Sequence, residues 1–575
     1  MINQYIIKQL YKKIPSKRQN EYFLKIKRRA SKKFGLPNPT NIEILKTYRQ
    51  MIKSKKIKPS ENIENLLITK NIRTLSGVAV VAVLTKPYAC PGTCVYCPTE
   101  KDMPKSYLSN EPAVMRAILT DFHPYKQVTA RIKSLKATGH KTDKIELIVM
   151  GGTFSYFPKQ YQTWFIKECF QACNVCNVGA GRDLPLQYLQ KTNEKSKHRI
   201  IGLTLETRPD YIDKKEIVRM RKLGATRVEL GAQSIYDDVL KLNKRGHSVA
   251  EIIKATRLLK EAGFKINYHM MPNLPGSNYQ RDLEMFKELF SNPDFQPDML
   301  KIYPCVVVKN SPIYKWWKNG KYKPYSDEKL VELLAKIKKI IPYYVRITRL
   351  IRDIPSTSIV AGNKVSNLRQ ILKKKSEEEN WRCKCIRCRE VRDKFIPFLT
   401  PPARGKIVPL TPFKKERIIP PFLGEVRQDT LKLFRQDYNA SNGKEIFLSF
   451  EDEKRKNLYS LLRLRINRTN YLKTGIQDLS CKNFANKTIL PILQNAAIIR
   501  EVHTYGQMLP IKSKNKKSPQ HIGLGKKLIL EAEKIASREF GLKKIAVISG
   551  VGVRNYYRKL GYKLKDGYMV KNKKV

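Results

Sequence analysis

Three cysteine triplets carry the chemistry that is legible first. Cys90, Cys94 and Cys97 stand in KPYACPGTCVYCPTE, where Pro87, Pro91, Gly92 and Pro98 forbid a regular helix. Three thiolates on such a loop, spaced C-x3-C-x2-C, satisfy three irons of a 4Fe-4S cluster and leave the fourth open. An open iron can chelate the amino and carboxylate groups of S-adenosylmethionine, whose reductive cleavage yields a deoxyadenosyl radical. Cys169, Cys173 and Cys176 share the spacing, but with Tyr161, Trp164, Phe165 and Ala172 they recur at helical intervals. They read as small apolar residues packing one helix on a sheet. Cys383, Cys385 and Cys388 in WRCKCIRCREV suit one structural zinc, for which Cys305 is the expected fourth ligand ahead of a histidine or water. Cys481 has no partner in sequence and reads as structural.

A second chemical site lies near the C-terminus. The run Gln520-His521-Ile522-Gly523-Leu524-Gly525 opens a helix after a strand and a basic loop. Two glycines let backbone amides approach a pyrophosphate, and the helix N-terminus adds its dipole. The preceding strand REVHTYG offers backbone to a pantetheine arm, and Asn555 and Tyr557 in VRNYYRKLGY are within reach of a thiol end. This is the element order of a GNAT acetyltransferase binding acetyl-CoA.

The elements that position these sites follow from the pattern. Six β-rich runs, SGVAVVAVLT, IELIVMGG, RIIGLTLET, TRVELGAQ, KINYHMMP and MLKIYPCVV, alternate with amphipathic helices near 111–138, 159–176, 213–223, 248–262 and 280–291. That describes a parallel βα array, either an incomplete barrel or a doubly wound sheet, with chemistry at the carboxyl ends of its strands. The expected organisation is a basic helical module over 1–75, with helices near 21–33 and 41–56. A catalytic α/β domain over 76–345, a loop-rich linker over 346–424 holding the zinc site, and a compact α/β domain over 425–575 follow it. In the last, FLSFED and LYSLLRLRI are expected as antiparallel strands.

At 575 residues and 66.7 kDa, several cores are needed. Lysine and arginine number 113 against 50 acidic residues, a formal charge of +63, and residues 1–75 alone hold 19 basic and 4 acidic side chains. Such an excess asks for a polyanion, most economically nucleic acid. The longest apolar stretch, around 78–84, is far short of the ~20 residues that span a membrane. The start, MINQYIIKQLYKK, lacks a signal peptide's apolar centre, so no membrane association and a cytoplasmic location are expected.

From about residue 72 onward the sequence resembles the catalytic subunit family of Elongator, tRNA uridine carboxymethyl-forming acetyltransferases. The segments that carry the resemblance, in order, include IRTLSGVAVVAV, CVYCP, EPAVMRAI, MGGTF, ETRPDY, GAQS, RGH, HMMPNLPG, LKIYP, RDIP, FRQDYNASNG, REVHTYG and ISGVGVRNYYRKLGY. It implies an α/β chain with a partial (βα)6 radical SAM barrel and a C-terminal GNAT domain. It further implies that Cys90, Cys94 and Cys97 bind the cluster, while Gly151, Gly152, Thr153, Glu206 and Gln233 line the S-adenosylmethionine pocket. Lys144 lies near acetyl-CoA at the domain boundary; Glu501, Val502, His503 and Thr504 line its strand, Leu524, Gly525 and Lys526 the pyrophosphate turn, and Tyr557 the thioester end. Lys144 and Tyr557 are the catalytic candidates on this resemblance. The implied reaction has the deoxyadenosyl radical take hydrogen from the acetyl methyl group, and the carbon radical add to carbon five of a wobble uridine. The partner is tRNA; a homodimer is compatible with the family, and accessory Elongator subunits enter only where a host encodes them. The compact first cysteine gap departs from the longer one of eukaryotic members and points to a prokaryotic-type protein. The competing classes are a protein lysine acetyltransferase with a structural cluster, and a tRNA-binding module with degenerate catalysis.

Overall fold

The computed structural model describes residues 1–15, 18–69, 74, 76–174, 183–391, 431–468, 489–506 and 523–572 of the chain. Four helices, Ile2–Lys12, Gln19–Phe34, Asn41–Lys53 and Glu61–Leu67, form the N-terminal unit. Each buries one apolar stripe in a common small core that includes Ile6, Leu10, Phe23, Ile44, Tyr48 and Leu67, which leaves the lysines outside. Thr40 and Glu43 cap the third helix reciprocally, each side chain accepting from the other's backbone amide.

The central sheet contains β1 (Ala79–Leu84), β2 (Lys144–Met150), β3 (Arg199–Thr207), β4 (Arg227–Gln233), β5 (Lys265–Met270) and β6 (Met299–Ile302). A two-residue strand β7 (Val307–Val308) leaves this sheet and pairs with β9 (Ile359–Ala361), while β8 (Arg346–Arg349) returns beside β6. The order β1-β2-β3-β4-β5-β6-β8 is sequential and every pairing is parallel. Sequential order without a reversal point excludes the doubly wound alternative and gives an open, curled half-barrel. It has seven strands, not six: β8 lies in the span expected as linker, and its RITR sequence carries no apolar run that would mark it. The helices Pro124–Ala137, Lys159–Asn174, Lys214–Leu223, Val249–Glu261, Tyr279–Ser291 and Asp327–Ile340 lie between the strands in sequence. Cys169 and Cys173 are buried in the core on the Lys159–Asn174 helix, where burial pushes their thiols up; Cys176 and Cys481 lie outside the described residues.

The barrel lumen is polar. Arg227 pairs with Glu146, and Glu229 accepts from Asn267 (3.2 Å), contacts His269 Nε2 (3.1 Å) and pairs with Lys301. These side chains stand where barrels of this class commonly stack aliphatic layers.

A second seven-stranded sheet contains β10 (Leu431–Asn439), β11 (Gly443–Asp452), β12 (Leu458–Asn467), β13 (Ala496–Thr504), β14 (Lys544–Val547), β15 (Lys563–Lys565) and β16 (Tyr568–Asn572). Its order is β10-β11-β12-β13-β14-β16-β15, antiparallel except for the β13–β14 pair. Helix Leu524–Arg538 packs on it through Leu528, Ile529, Ala532 and Ile535. The antiparallel strands expected at FLSFED and LYSLLRLRI are β11 and β12; β10, mostly exposed and polar, escaped the sequence reading.

A buried ion network joins the two sheets. Asp298, just before β6, accepts from Arg500 of β13 through both oxygens (2.6 and 3.0 Å) and from the Ile266 amide (2.9 Å). Arg463 of β12 lies 3.4 Å from the same carboxylate. Glu445 accepts from Arg500 and Arg465, each at 2.9 Å. Burial opposes ionisation of Asp298, yet Arg500 and Arg463 outweigh it and hold its pKa below the usual carboxylate range. Nearby, the loop after β14 presses on β3 so closely that a Cβ at Gly550 would meet the Ile201 carbonyl oxygen at 1.9 Å.

Asp298→Asn leaves Arg500 and Arg463 facing an uncharged amide in a buried site and should destabilise by about 3–5 kcal/mol. Lys260, whose pKa burial lowers to about 7, donates to the Gln296 carbonyl beside the network, and Lys260→Met should cost less. Urea midpoints of the two variants against the parent check the order.

Candidate active site

Two cavities among the described residues lie at opposite ends of the barrel. The mouth cavity, about 130 Å³, lies at the carboxyl ends of the strands, where loops carry side chains for chemistry. The loop after β1 brings Cys90, Cys94 and Cys97 to its wall; the last two are buried and Cys90 is half-buried. Backbone bonds pin this loop: Val95 N donates to Asn243 O (3.2 Å), Ile313 N to Val95 O (2.8 Å) and Thr99 N to Asn310 O (2.7 Å). The Cys97 thiol and then the buried Arg245 guanidinium, 3.4 Å from Cys94 Sγ, hold the Cys94 thiol below its ordinary range.

The opposite wall is made by the ends of β2, β3 and β4. Gly152, Thr153, Glu206 and Gln233 line the cavity with the cysteines. Gly151 sits behind them at φ +126°, where a Cβ would stand 1.9 Å from Thr85 Oγ1, so no side chain fits. Glu206 accepts from Tyr107 Oη at 2.9 Å and lies 3.6 Å from His269 Nδ1. Gln233 adopts φ +73°, and among the described residues its Oε1 and Arg208 Nη1 are buried without a partner. A pocket with unspent donors and acceptors beside three thiols suits a polar ligand held on a cluster.

The second cavity, about 700 Å³, lies between the amino ends of the barrel strands and the second sheet. Lys144, Glu146 and Lys265 face Val502, His503, Thr504, Gly525, Lys526 and Tyr557 across it. β13 and β14 pair only from Ala496 to Ile499 and Lys544 to Val547, so the last residues of β13 have no β14 partner. That open backbone leads to the N-terminus of helix Leu524–Arg538, preceded by Gly523 at φ +79°. Gly525 faces Thr504 and Tyr556, where a Cβ would lie 3.5 Å from either hydroxyl. Burial pulls the Lys144 pKa down and pushes that of Tyr557 up, so the phenol stays a proton donor.

Several expected residues sit differently. The Leu524 side chain is absorbed into an apolar cluster with Val391 and Tyr459, leaving only its backbone to the cavity. Glu501 lines the cavity but is committed to Arg463 (2.9 Å) and Lys265 (3.2 Å), while His503 Nε2 contacts the Ser76 carbonyl at 2.9 Å. Asn555 turns away and donates to the Glu194 carbonyl (3.2 Å) on the barrel side. Tyr556 lines the cavity beside Tyr557, and nothing in its sequence context distinguishes it. Gln520, His521 and Ile522 lie outside the described residues.

Cys383, Cys385 and Cys388 gather with their sulfurs within 4.8 Å of one another, and among the described residues they are the one such group of three. Tetrahedral zinc with ~2.3 Å bonds sets its sulfurs about 3.8 Å apart, inside that bound. Lys338 Nζ approaches Cys388 Sγ at 3.6 Å. Cys305 is a correction: it packs with Cys94, Cys97 and Tyr322 under the mouth loop, where burial pushes its thiol up to about 12, and it is not in the triplet's group. Chain order after β6 suggested the partnership, but the β7–β9 ribbon carries Cys305 to the mouth.

Burial opposes ionisation of Glu501, but Lys265 and Arg463 outweigh it and bring its pKa from 4.5 to about 2. A lowered carboxylate pKa contributes stability that is fully present above the unfolded value and lost as pH falls through the folded one. The contact between the sheets should therefore weaken between about pH 4.5 and 2, and Glu501→Gln should flatten that part of the acid-unfolding profile.

Residues 85–289 match the Radical SAM superfamily model and residues 297–378 the Radical_SAM C-terminal domain. The chain is 47% identical to a tRNA uridine(34) acetyltransferase of Methanocaldococcus infernus, over 94% of this chain and 92% of that protein. It is 40% identical to Elongator complex protein 3 of Saccharomyces cerevisiae, over 88% and 85% of the two chains. A solved structure of the archaeal Methanocaldococcus infernus Elp3 with an N-terminal deletion superposes with a TM-score of 0.67 at 42% identity, covering 86% of this chain and 99% of that one. The cysteine loop, the sequential half-barrel and these matches along nearly the whole chain make it a member of the tRNA uridine(34) acetyltransferase and Elongator complex protein 3 family of radical SAM proteins.

Proposed function

We propose that the protein uses acetyl-CoA and S-adenosylmethionine to place a carboxymethyl-type group on carbon five of the wobble uridine of tRNA. Its strongest single support is that a thiol-lined mouth cavity and a larger cavity edged by an open strand and a helix N-terminus occupy the two ends of one barrel. The relatives named as tRNA uridine(34) acetyltransferases align across both.

Cys90, Cys94 and Cys97 would hold a 4Fe-4S cluster, with Arg245 balancing thiolate charge. When bound, the cluster supplies the electron that cleaves S-adenosylmethionine. Glu206, fixed by Tyr107, and Gln233, with its unpaired oxygen, would orient that molecule's polar groups, while Gly151 and Gly152 keep the wall low enough to admit it. At the other end, the open edge of β13 would take the pantetheine amides and the turn at Gly523, Gly525 and Lys526 the pyrophosphate. Once water takes the acyl group, Tyr557 would donate a hydrogen bond to the departing thiolate, which gains its proton from that water. The lower cavity reaches past Lys144 to Glu146 and Arg227, so an acyl arm entering it is directed along the lumen. The basic helices of 1–75 would bind the anticodon arm, whose splayed bases suit a cavity at a barrel mouth. The domain division is 1–75 for tRNA, the half-barrel from 76 through β8, a zinc-bearing joint at the Cys383 triplet, and the acetyltransferase unit from about 425.

Anaerobically reconstituted protein given acetyl-CoA labelled in the acetyl methyl group, S-adenosylmethionine, reductant and tRNA should yield label in a carboxymethyl-type uridine by nucleoside mass spectrometry. Cys94→Ala should abolish that label. Acetylated protein lysines with unmodified tRNA would instead establish a protein acetyltransferase. In metal analysis, zinc should be retained in Cys94→Ala and Cys305→Ser and lost in Cys385→Ser.

A further inference from the structure

A run of aromatic rings leaves the mouth cavity along one side of its rim. Tyr88 lies two residues before Cys90, Tyr156 three after Thr153 and Tyr211 three after Arg208, and Cys90, Thr153 and Arg208 all line the cavity. The loops after β1, β2 and β3 thus each contribute one ring. Tyr211 meets Tyr156 edge-on at 5.5 Å, and Tyr156 lies 5.9 Å from Tyr88. Tyr88 stacks on Phe157 at 4.6 Å and Phe157 on Tyr161 at 4.8 Å, and Tyr161 passes the run to Trp164 at 5.5 Å.

Packing accounts for Phe157, which is 4% exposed, but not for its neighbours. Tyr88, Tyr156 and Trp164 are 40%, 38% and 39% exposed, large for aromatic rings joined in one cluster. Lys86 Nζ lies 5.1 Å from the Tyr161 ring centre, and no carboxylate of the described residues stands within ion-pair distance of it. The rim therefore offers part-exposed aromatic rings and a cation, on a chain of net charge +63.

We infer that this rim is a stacking platform for unpaired RNA bases next to the base that enters the mouth cavity. The inference rests on the RNA-modifying function proposed above and adds a subsite to it. A base that leaves its stack to reach a cavity strips its neighbours of a stacking partner. Aromatic side chains replace that partner without regard to base identity, because every base has a π face, and a nearby lysine answers the backbone phosphate. The rim rings are adjacent to the cavity wall, so the flanking nucleotides meet them as the target base goes in.

The test uses the reconstituted full chain and an RNA hairpin with the anticodon-arm sequence, carrying 2-aminopurine beside the target uridine. Tyr88→Leu and Tyr156→Leu keep apolar bulk and remove the ring; Tyr88→Phe keeps the ring. Each leucine variant should weaken hairpin binding by about 5- to 150-fold and reduce 2-aminopurine quenching, while the phenylalanine variant matches the parent. A fully paired RNA duplex of equal length should bind parent and variants alike. S-adenosylmethionine cleavage without RNA reports an intact cluster cavity in every variant. Leucine variants that bind the hairpin and quench like the parent would overturn the platform while leaving the proposed function standing. A parent protein that binds no hairpin at all would overturn both. Should a leucine variant lose RNA-free cleavage, Trp164→Leu, farther along the run, decides in its place by the same two readouts.

Discussion

The Asp298 carboxylate is the joint on which the cavity between the two sheets depends. Two buried arginines from adjacent strands of one sheet converge on a single carboxylate at the foot of the other, and Ile266 N ties that carboxylate to β5. Buried ion pairs often add little net stability over apolar packing, because desolvation offsets attraction. What this one supplies is position. Arg500 and Glu501 are neighbours on β13, so locking one to Asp298 places the other against Lys265 and sets the open edge of the strand over Lys144. Arg221, donating to the Ser549 and Gly567 carbonyls, and Gly550 against β3 repeat the same fixing farther along the interface.

How much of this was legible in sequence follows from the range of each signal. The first six barrel strands announced themselves as apolar runs bounded by turn residues, and the mouth cysteines by proline and glycine that exclude a helix. β8 and β10 did not, since RITR and LKLFRQDYN alternate charge with few apolar residues, and partners far along the chain make them strands. The helical stripe around Cys169 and Cys173 was readable because 3.6-residue periodicity is local. Cys305 was matched to the triplet as the unassigned cysteine at the end of the sixth strand, and elimination says nothing about where a short β-ribbon turns. The ion network could not be read at all: Asp298, Glu445, Arg463 and Arg500 are separated by up to about 200 residues, and on a chain with 113 basic side chains no single arginine stands out. Within the candidate sites, residue types were legible but commitments were not, so Glu501 and Leu524 were assigned to a ligand while the fold engages them elsewhere.

The mouth shows how little side chain a crowded site tolerates. Gly151 leaves room for Thr85, and Gly92 for the Arg208 guanidinium, whose Nη1 would stand 2.2 Å from an added Cβ. Small residues hold the wall back while Arg245, Arg208 and Arg352 bring positive charge into a space that thiolates and carboxylates also occupy. The balance of these charges, more than the cysteine spacing alone, distinguishes this loop from the helix that carries the second C-x3-C-x2-C.

β2 acts as a ruler. It begins at Lys144 in the lower cavity and ends at Met150 in the mouth wall, seven residues that span about 20 Å. Ligands seated at the two ends are held apart by that length of charged lumen, with Glu229 between them and His269 and Lys301 already at the mouth. Hydrogen transfer between such ligands would need direct contact, so the length of β2 sets how far an arm seated in the lower cavity must reach to meet a group at the mouth.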